Sequence, residues 1–178
     1  MNNKIRQMVY AGLLTAFAII IPIQFGFLRI FIPPAFSVTI AAHVPLMLSM
    51  LISPFVAVVV GIGSTIGFLI SGMPAPVVAR AATHIIVGYI GAKIIIRNKS
   101  YITAIIFTAP IHGLLEMLVV IPILGIQFNG VLLVTAVVYI LHHCVDSLIA
   151  YSIVKAVAKA RNRNIYNVFG DFKTQQAI

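Results

Sequence analysis

Six long apolar runs alternate along the chain with short segments that are polar or contain glycine and proline. The runs cover residues 7–28, 36–53, 55–71, 76–96, 101–124 and 130–160. An α-helix needs about 20 apolar residues to cross the hydrocarbon core of a bilayer. The pattern predicts an all-α, polytopic membrane protein in which six transmembrane helices form one bundle, a single domain over residues 1–160. Residues 161–178 are predicted to be a polar cytoplasmic tail with a poorly ordered end.

The composition indicates that lipid is the solvent for most of the protein. The chain has 178 residues, of which 61% are hydrophobic and 8% are charged, whereas a soluble domain carries about 25% charged residues. The net charge of +9 does not indicate nucleic-acid binding, because the basic residues flank apolar runs. Attraction to anionic lipid headgroups explains this charge better. The single cysteine, Cys144, excludes an internal disulfide, and no cleavable signal peptide is expected.

The positions of the basic residues predict an orientation in the membrane. Ten of the twelve Lys and Arg residues lie before residue 7, between Lys93 and Lys99, or after Tyr151. Lys and Arg stay on the cytoplasmic side when a helical membrane protein inserts. We therefore expect a multi-pass protein of the cell membrane with both termini in the cytoplasm. Arg29 then falls in an external loop, and Arg80 falls inside an apolar run.

Polar and ionisable side chains inside the last three apolar runs are the candidate binding residues. Such side chains are costly within a membrane and by default suggest a function. The predicted substrate-binding residues are Arg80 and His84 in the fourth run, His112 and Glu116 in the fifth, and Tyr139, His143 and Asp146 in the sixth. Residues four apart, such as Arg80 and His84, share a helix face. The pattern predicts a polar cavity for a small, anionic solute, because the planar guanidinium of Arg80 suits a carboxylate or phosphate.

A structural interpretation of the same residues stays open. Arg80 could pair with Glu116 or Asp146 as an internal strut, since buried charges need partners. His43, in the second run, is interpreted as a structural histidine with its hydrogen bonds satisfied rather than as a ligand contact.

A metal centre is a weaker alternative. Its ligands would be His84, His142, His143 and Asp146. The chain has neither an HExxH nor a CxxC pattern, so we assign no metal ligand, no cofactor and no catalytic residue, and we expect the protein not to be an enzyme. The chain also lacks the phosphate-binding loop G-x-x-x-x-G-K-[ST], so any ATP that drives it must be hydrolysed by a partner.

Small residues in the first run form a face for close helix contact. Ala11 and Thr15 are four apart, and so are Gly12 and Ala16. In lipid, such faces let helix backbones approach one another. Packing inside the bundle is the more common role of such a pair, but the pairs of the first helix are the ones we expect to be offered to another protein.

Over residues 1–160 the chain resembles the S components of energy-coupling factor (ECF) vitamin transporters, which are small six-helix membrane proteins. The resemblance rests on the size, the six predicted helices and the small-residue face of the first helix. It rests further on Ile21-Pro22-Ile23-Gln24-Phe25, on Ala42-His43-Val44-Pro45 and on the stretch from Ser49 through Phe55.

The resemblance implies a substrate-binding subunit without catalytic activity. Members of the family capture a vitamin from outside, mostly with helices four to six and the loop between helices one and two. They deliver it to a T component that works with two ATPase subunits. The docking motif of the family is Ala-x-x-x-Ala, which here becomes Ala11-Gly12-Leu13-Leu14-Thr15, with the neighbouring pair Gly12 and Ala16.

Among ECF substrates, Arg80 favours one that carries a carboxylate. Our first choice is pantothenate, whose hydroxyl and amide groups would suit Glu116 and Asp146, and our second is niacin, a carboxylate on a flat ring.

A stand-alone, proton-coupled transporter of a small anion is the alternative from another functional class. A membrane metalloprotein built around His142 and Asp146 is a further alternative, and a purely structural subunit is disfavoured by the polar side chains within the apolar runs.

Overall fold

The computed structural model describes residues 3–32, 36–125 and 130–170, with the backbone alone over 130–135. Its elements in chain order are α1 (Asn3–Gln24), a 3₁₀ turn (Gly26–Leu28), β1 (Arg29–Ile32), β2 (Phe36–Thr39), α2 (Val44–Met50), α3 (Pro54–Ile70), α4 (Ala75–Asn98), α5 (Tyr101–Leu124) and α6 (Gly130–Ala160). The protein is therefore mostly helical, as the apolar runs predict, and it carries one β-hairpin in addition.

Helix boundaries follow local capping chemistry. The side chain of Ser53 accepts a hydrogen bond from the backbone N–H of Val56 at the start of α3, and Ser100 does the same for Thr103 at the start of α5. These bonds satisfy N–H groups that a helix leaves without a partner in its first turn. α4 ends where Lys99 adopts the left-handed conformation, with φ of 51°. A residue in this conformation cannot continue the helix.

Within the described residues, four helical segments are long and apolar enough to cross a membrane: α1, α4, α5 and Ala136–Ala160 of α6. α3 has 17 residues, which is at the short end of the range of about 17–25 for a crossing. These helices support the predicted class of polytopic helical membrane protein. They do not establish six crossings.

The prediction of a spanning helix over residues 36–53 is wrong. Residues 36–39 form strand β2, the chain then turns with Ala41 at φ 67°, and α2 has seven residues. At 1.5 Å per residue, α2 is about 10 Å long and cannot cross a bilayer by itself. Strand β2, the turn and α2 together return the chain from the hairpin to the N-terminal end of α1, where the hydroxyl of Ser53 donates to Oε1 of Gln7 at 2.6 Å. An apolar run alone does not distinguish a strand from a helix, and Phe36-Ser37-Val38-Thr39 alternates in burial as a strand does.

The hairpin lies against the bundle at the end of α1 opposite the N-terminus. β1 and β2 are antiparallel, with Arg29 opposite Thr39 and Ile32 opposite Phe36. The backbone N–H of Ser37 donates to the hydroxyl oxygen of Tyr139 at 3.0 Å, and that hydroxyl donates to the Ser37 carbonyl at 3.1 Å. The Tyr139 hydroxyl of α6 thus satisfies both backbone polar groups of Ser37, as a neighbouring strand would do.

Glycines let α3 approach its neighbours closely. A Cβ on Gly67 would lie 2.8 Å from the carbonyl oxygen of Ala18 in α1, and a Cβ on Gly61 would lie 2.8 Å from the Cα of Ile85 in α4. Helices in membranes associate through such small-residue contacts. α3 therefore packs between α1 and α4, and its remaining face carries exposed apolar side chains such as Phe55 and Leu69.

The segment that follows α6 packs on the bundle over residues 161–170. Val168 is fully buried in the main core, and the carbonyl of Phe169 accepts a hydrogen bond from Nη2 of Arg6 at 3.0 Å. This part of the predicted polar tail is thus attached to the folded bundle. The expected poorly ordered end, residues 171–178, lies outside the described residues.

Candidate functional site

All five histidines of the chain lie in one buried cluster between the helices. His43 occupies its centre: its ring centroid is 4.7 Å from that of His84, 4.8 Å from His112, 4.6 Å from His142 and 6.0 Å from His143. None of the five is more than 8% exposed. Five buried titratable rings among apolar helices are costly, so the cluster is the first candidate for a functional site.

Arg80 of α4 lies beside this cluster, 3% exposed. Its Nη2 lies 3.4 Å from Oε2 of Glu116 and donates to the carbonyl oxygen of Ser37 at 3.2 Å. Its guanidinium carbon lies 3.9 Å from the centre of the Tyr139 ring, a cation–π arrangement. Of the two partners proposed for Arg80 from the sequence, the structure brings Glu116 to it.

Asp146 has different partners. One carboxylate oxygen accepts from the backbone N–H of Ala41 at 2.9 Å. The other accepts from the backbone N–H of His43 at 3.0 Å and from its Nδ1 at 2.9 Å, and it lies 3.1 Å from Nε2 of His142. Asp146 therefore holds the turn before α2 against α6, and it orients the His43 ring.

His112 and His143 extend the cluster between α5 and α6. Nδ1 of His112 lies 3.0 Å from Nδ1 of His143, and Nε2 of His143 lies 3.0 Å from the hydroxyl of Thr108. The Thr108 hydroxyl donates to the carbonyl of Ala104 at 2.8 Å. Nε2 of His112 lies 3.2 Å from Oε1 of Glu116, one helical turn further along α5. A continuous chain of polar atoms thus leads from Thr108 to the carboxylate beside Arg80.

A small cavity of about 20 Å³ lies between Arg80, the hairpin and the histidine cluster. Its lining includes four of the predicted binding residues: Arg80, His84, Glu116 and Tyr139. It also includes His43, His142 and Phe68, and Ser37 and Thr39 of the hairpin. The volume suits about one water molecule. A vitamin can therefore enter only if the hairpin or the side chains that line the cavity move outward.

The other predicted binding residues, His112, His143 and Asp146, are outside this lining. His112 contacts Glu116, Asp146 contacts His43, and the His143 ring lies 6.0 Å from that of His43, and all of these partners line the cavity. His43, interpreted from the sequence as structural, has partners on both ring nitrogens and also lines the cavity. No local sequence signal marks it, because its contacts come from residues 41 and 103 positions away. The resemblance to S components, by contrast, does draw attention to the loop between the first two helices, which here contains the hairpin.

Among the residues that the structure describes, two sets of buried side chains could hold a metal ion. One is His43, His84, His112 and Glu116, and the other is His43, His142 and Asp146. Within each set the ligand atoms lie within 4.8 Å of one another.

The four residues of α1 proposed to dock on a T component lie on two different faces of the helix. Ala11 is buried, and Thr15 lies next to Gly63 of α3, so this pair packs inside the bundle. Gly12 and Ala16 are exposed, and a Cβ on Gly12 would meet no atom within 4 Å among the described residues. The exposed pair therefore lies on the face available to lipid or to a partner.

The comparisons with known proteins give one informative result. The niacin transporter NiaX of Lactococcus lactis subsp. cremoris (strain MG1363) is 32% identical over 180 residues, which covers 92% of this chain and 80% of that protein. No model of a known protein family matches the chain. No solved structure matches it significantly.

Proposed function

The chain belongs to the family of the niacin transporter NiaX of Lactococcus lactis, and from this membership we propose that it is the vitamin-binding S component of an ECF-type importer for niacin. Niacin replaces pantothenate as the substrate that we favour, because the relative transports niacin and its similarity spans nearly the whole chain. A transporter relative and a helical membrane fold also support a protein that is not an enzyme.

The observation that carries the proposal is the buried guanidinium of Arg80 at the edge of the cavity. It lies against the Tyr139 ring and beside Glu116. A carboxylate that enters the cavity would meet the fork of Arg80, which suits bidentate recognition. The flat pyridine ring would lie among the aromatic and imidazole rings, and its nitrogen could accept a hydrogen bond from an imidazole N–H.

Entry of niacin requires the cavity to enlarge. The hairpin is the element best placed to move, because it contacts the cavity through Ser37 and Thr39 and is joined to α6 by the two hydrogen bonds between Ser37 and Tyr139. Moving it outward breaks these two neutral hydrogen bonds and the charged one from Arg80 to the Ser37 carbonyl, which together cost about 2.5–6 kcal/mol. Contacts of a bound vitamin with Arg80 can offset this cost.

The proposal also covers the orientation of the chain in the membrane and the subunits that work with it. The basic residues before α1, at the end of α4 and after Tyr151 would lie in the cytoplasm with both termini, so the hairpin and the cavity would face outside. A T component and two ATPase subunits would supply the energy. The exposed small residues Gly12 and Ala16 of α1 would contact the T component.

The direct test measures binding of radiolabelled niacin to the purified protein by equilibrium dialysis, with nicotinamide and pantothenate as competitors. We expect one niacin per chain with submicromolar affinity. Nicotinamide should compete far less well, because it lacks the carboxylate for Arg80. Equal competition by nicotinamide, or tighter binding of pantothenate, would contradict the proposed recognition.

Uptake into proteoliposomes separates an S component from a stand-alone transporter. Niacin uptake should require a T component with its ATPases and hydrolysable ATP. Uptake by this chain alone, driven by a pH gradient, would show a proton-coupled transporter instead.

A further inference from the structure

Three imidazole nitrogens and one carboxylate oxygen converge at the floor of the cavity. Nε2 of His43 lies 3.0 Å from Nε2 of His84, and Nε2 of His112 lies 3.2 Å from Oε1 of Glu116. All four ligand atoms lie within 4.8 Å of one another, and all four residues are buried. In a tetrahedral zinc site with metal–nitrogen bonds of about 2.0–2.1 Å, neighbouring ligand atoms lie about 3.4 Å apart. The two measured pairs are already close to that spacing.

The hydrogen bonds around His112 favour one tautomer of its ring. The Thr108 hydroxyl donates its O–H to the carbonyl of Ala104, so its oxygen accepts a hydrogen bond from Nε2–H of His143. Nδ1 of His143 then has a lone pair and accepts from Nδ1 of His112. A neutral His112 therefore presents a lone pair at Nε2, the nitrogen that faces Glu116.

That nitrogen of His112 is buried and has no hydrogen-bond partner among the residues that the structure describes. A lone pair that faces a carboxylate at 3.2 Å is unfavourable unless a proton or a metal cation lies between them. The one-turn spacing of His112 and Glu116 on α5 is also the spacing at which a helix presents two side chains to a single metal ion.

His43 and His84 can also present a lone pair at Nε2. Nδ1 of His43 donates to the carboxylate of Asp146, which leaves a lone pair at Nε2. Nδ1 of His84 lies 2.8 Å from the hydroxyl of Ser64. When this oxygen accepts a hydrogen bond from Nδ1–H, neutral His84 keeps a lone pair at Nε2. Metal-binding histidines usually donate their second nitrogen to a carboxylate or another acceptor in this manner.

We propose that His43, His84, His112 and Glu116 bind one divalent transition-metal ion of the zinc type. The donor set of three imidazoles and a carboxylate suits Zn²⁺ and Co²⁺. The site does not depend on the proposed function. His43, His84 and Glu116 also line the cavity, so the ion would lie next to the place proposed for niacin.

Co²⁺ is the probe for the test, because a tetrahedral Co²⁺ centre absorbs visible light and Zn²⁺ can displace it. The purified, chelator-treated protein is titrated with Co²⁺ in the absence of niacin, and the bound metal is also counted by mass spectrometry. We expect one Co²⁺ per chain, a visible spectrum typical of tetrahedral nitrogen and oxygen ligands, and loss of that spectrum when Zn²⁺ is added.

The variants His112→Gln and His84→Gln should weaken Co²⁺ binding at least a hundredfold. His142→Gln tests the second buried set, His43, His142 and Asp146. Cys144→Ser is the control, because Cys144 belongs to neither set, and it should leave Co²⁺ binding unchanged. The proposal is overturned if the wild-type protein binds no Co²⁺, or if His142→Gln abolishes binding and His112→Gln does not. Since no niacin is present, failure of this test leaves the niacin-binding test unaffected. Absence of Co²⁺ binding by the wild-type protein overturns the proposal even if a variant fails to fold.

Discussion

Nη2 of Arg80 lies 3.4 Å from Oε2 of Glu116, and both side chains are about 4% exposed. This pair joins α4 to α5 at the edge of the cavity. A buried ion pair adds little to stability compared with an apolar pair, but the loss of one partner is costly. Arg80 therefore supplies a cation to the site, and Glu116 reduces the desolvation penalty of burying that cation.

Arg80→Gln should weaken niacin binding by about 10- to 150-fold, because a hydrogen bond to a charged group contributes about 1.5–3 kcal/mol. Equilibrium dialysis with labelled niacin measures the change. Arg97→Gln is the matched control, since Arg97 is an exposed residue in the last turn of the same helix. The recognition of a carboxylate by Arg80 is refuted if Arg80→Gln is monodisperse and binds niacin as the wild type does.

Glu116→Gln should increase the thermal stabilisation that niacin produces. The substitution removes the carboxylate beside Arg80, and the loss of one partner of a buried ion pair costs about 3–5 kcal/mol. A niacin carboxylate would replace the missing anion, and a ligand that binds the folded state raises its stability. Thermal unfolding in detergent, with chelator present and with or without niacin, measures this difference.

In the absence of niacin the melting temperature of Glu116→Gln should be lower than that of the wild type. If niacin raises the melting temperature of this variant no more than that of the wild type, its carboxylate does not replace Glu116 at Arg80.

Part of the site follows from helical spacing alone. Arg80 and His84, and likewise His112 and Glu116, are four residues apart, and this periodicity by itself predicts that each pair shares a helix face. Their inward direction follows from the cost of exposing charge to lipid. In the folded protein, Arg80, His84 and Glu116 line one cavity.

The hairpin and the place of His43 could not be predicted in this way. Residues 36–53 form an apolar run, and hydrophobicity alone does not distinguish a helix from a strand, a turn and a short helix. The turn before α2 is held by Asp146, 103 residues from His43 along the chain. Similarly, residues 161–170 belong to the predicted polar tail, but Val168 is buried and Ile165 and Phe169 pack on the main core because of contacts made in the folded state.

Asp146→Asn should destabilise the fold by about 1.5–3 kcal/mol, since it weakens hydrogen bonds between a charged acceptor and its donors. The carboxylate accepts from the backbone N–H groups of Ala41 and His43 and from the His43 ring. Circular dichroism during thermal unfolding in detergent measures the effect. Ser152→Ala, at an exposed position on the same helix, should leave the melting temperature unchanged. An equal melting temperature for Asp146→Asn and the wild type would show that the charge of Asp146 is not needed to hold the turn before α2.

Gly12→Leu should abolish ATP-dependent niacin uptake without weakening niacin binding. Position 12 is exposed on α1, and a Cβ there would meet no described atom within 4 Å, so the bundle can accept a larger side chain. A leucine would, however, keep a partner helix from the close approach that a small-residue face allows. Uptake into proteoliposomes with the T component and ATPases measures transport, and dialysis measures binding.

The matched control is Val145→Leu, an enlargement of an apolar side chain that is 51% exposed on α6. This variant should transport niacin as the wild type does. If Gly12→Leu transports normally, the exposed pair Gly12 and Ala16 does not dock on the T component. If it loses niacin binding as well, the substitution acts through the bundle, and the face must be tested with Ala16→Leu instead.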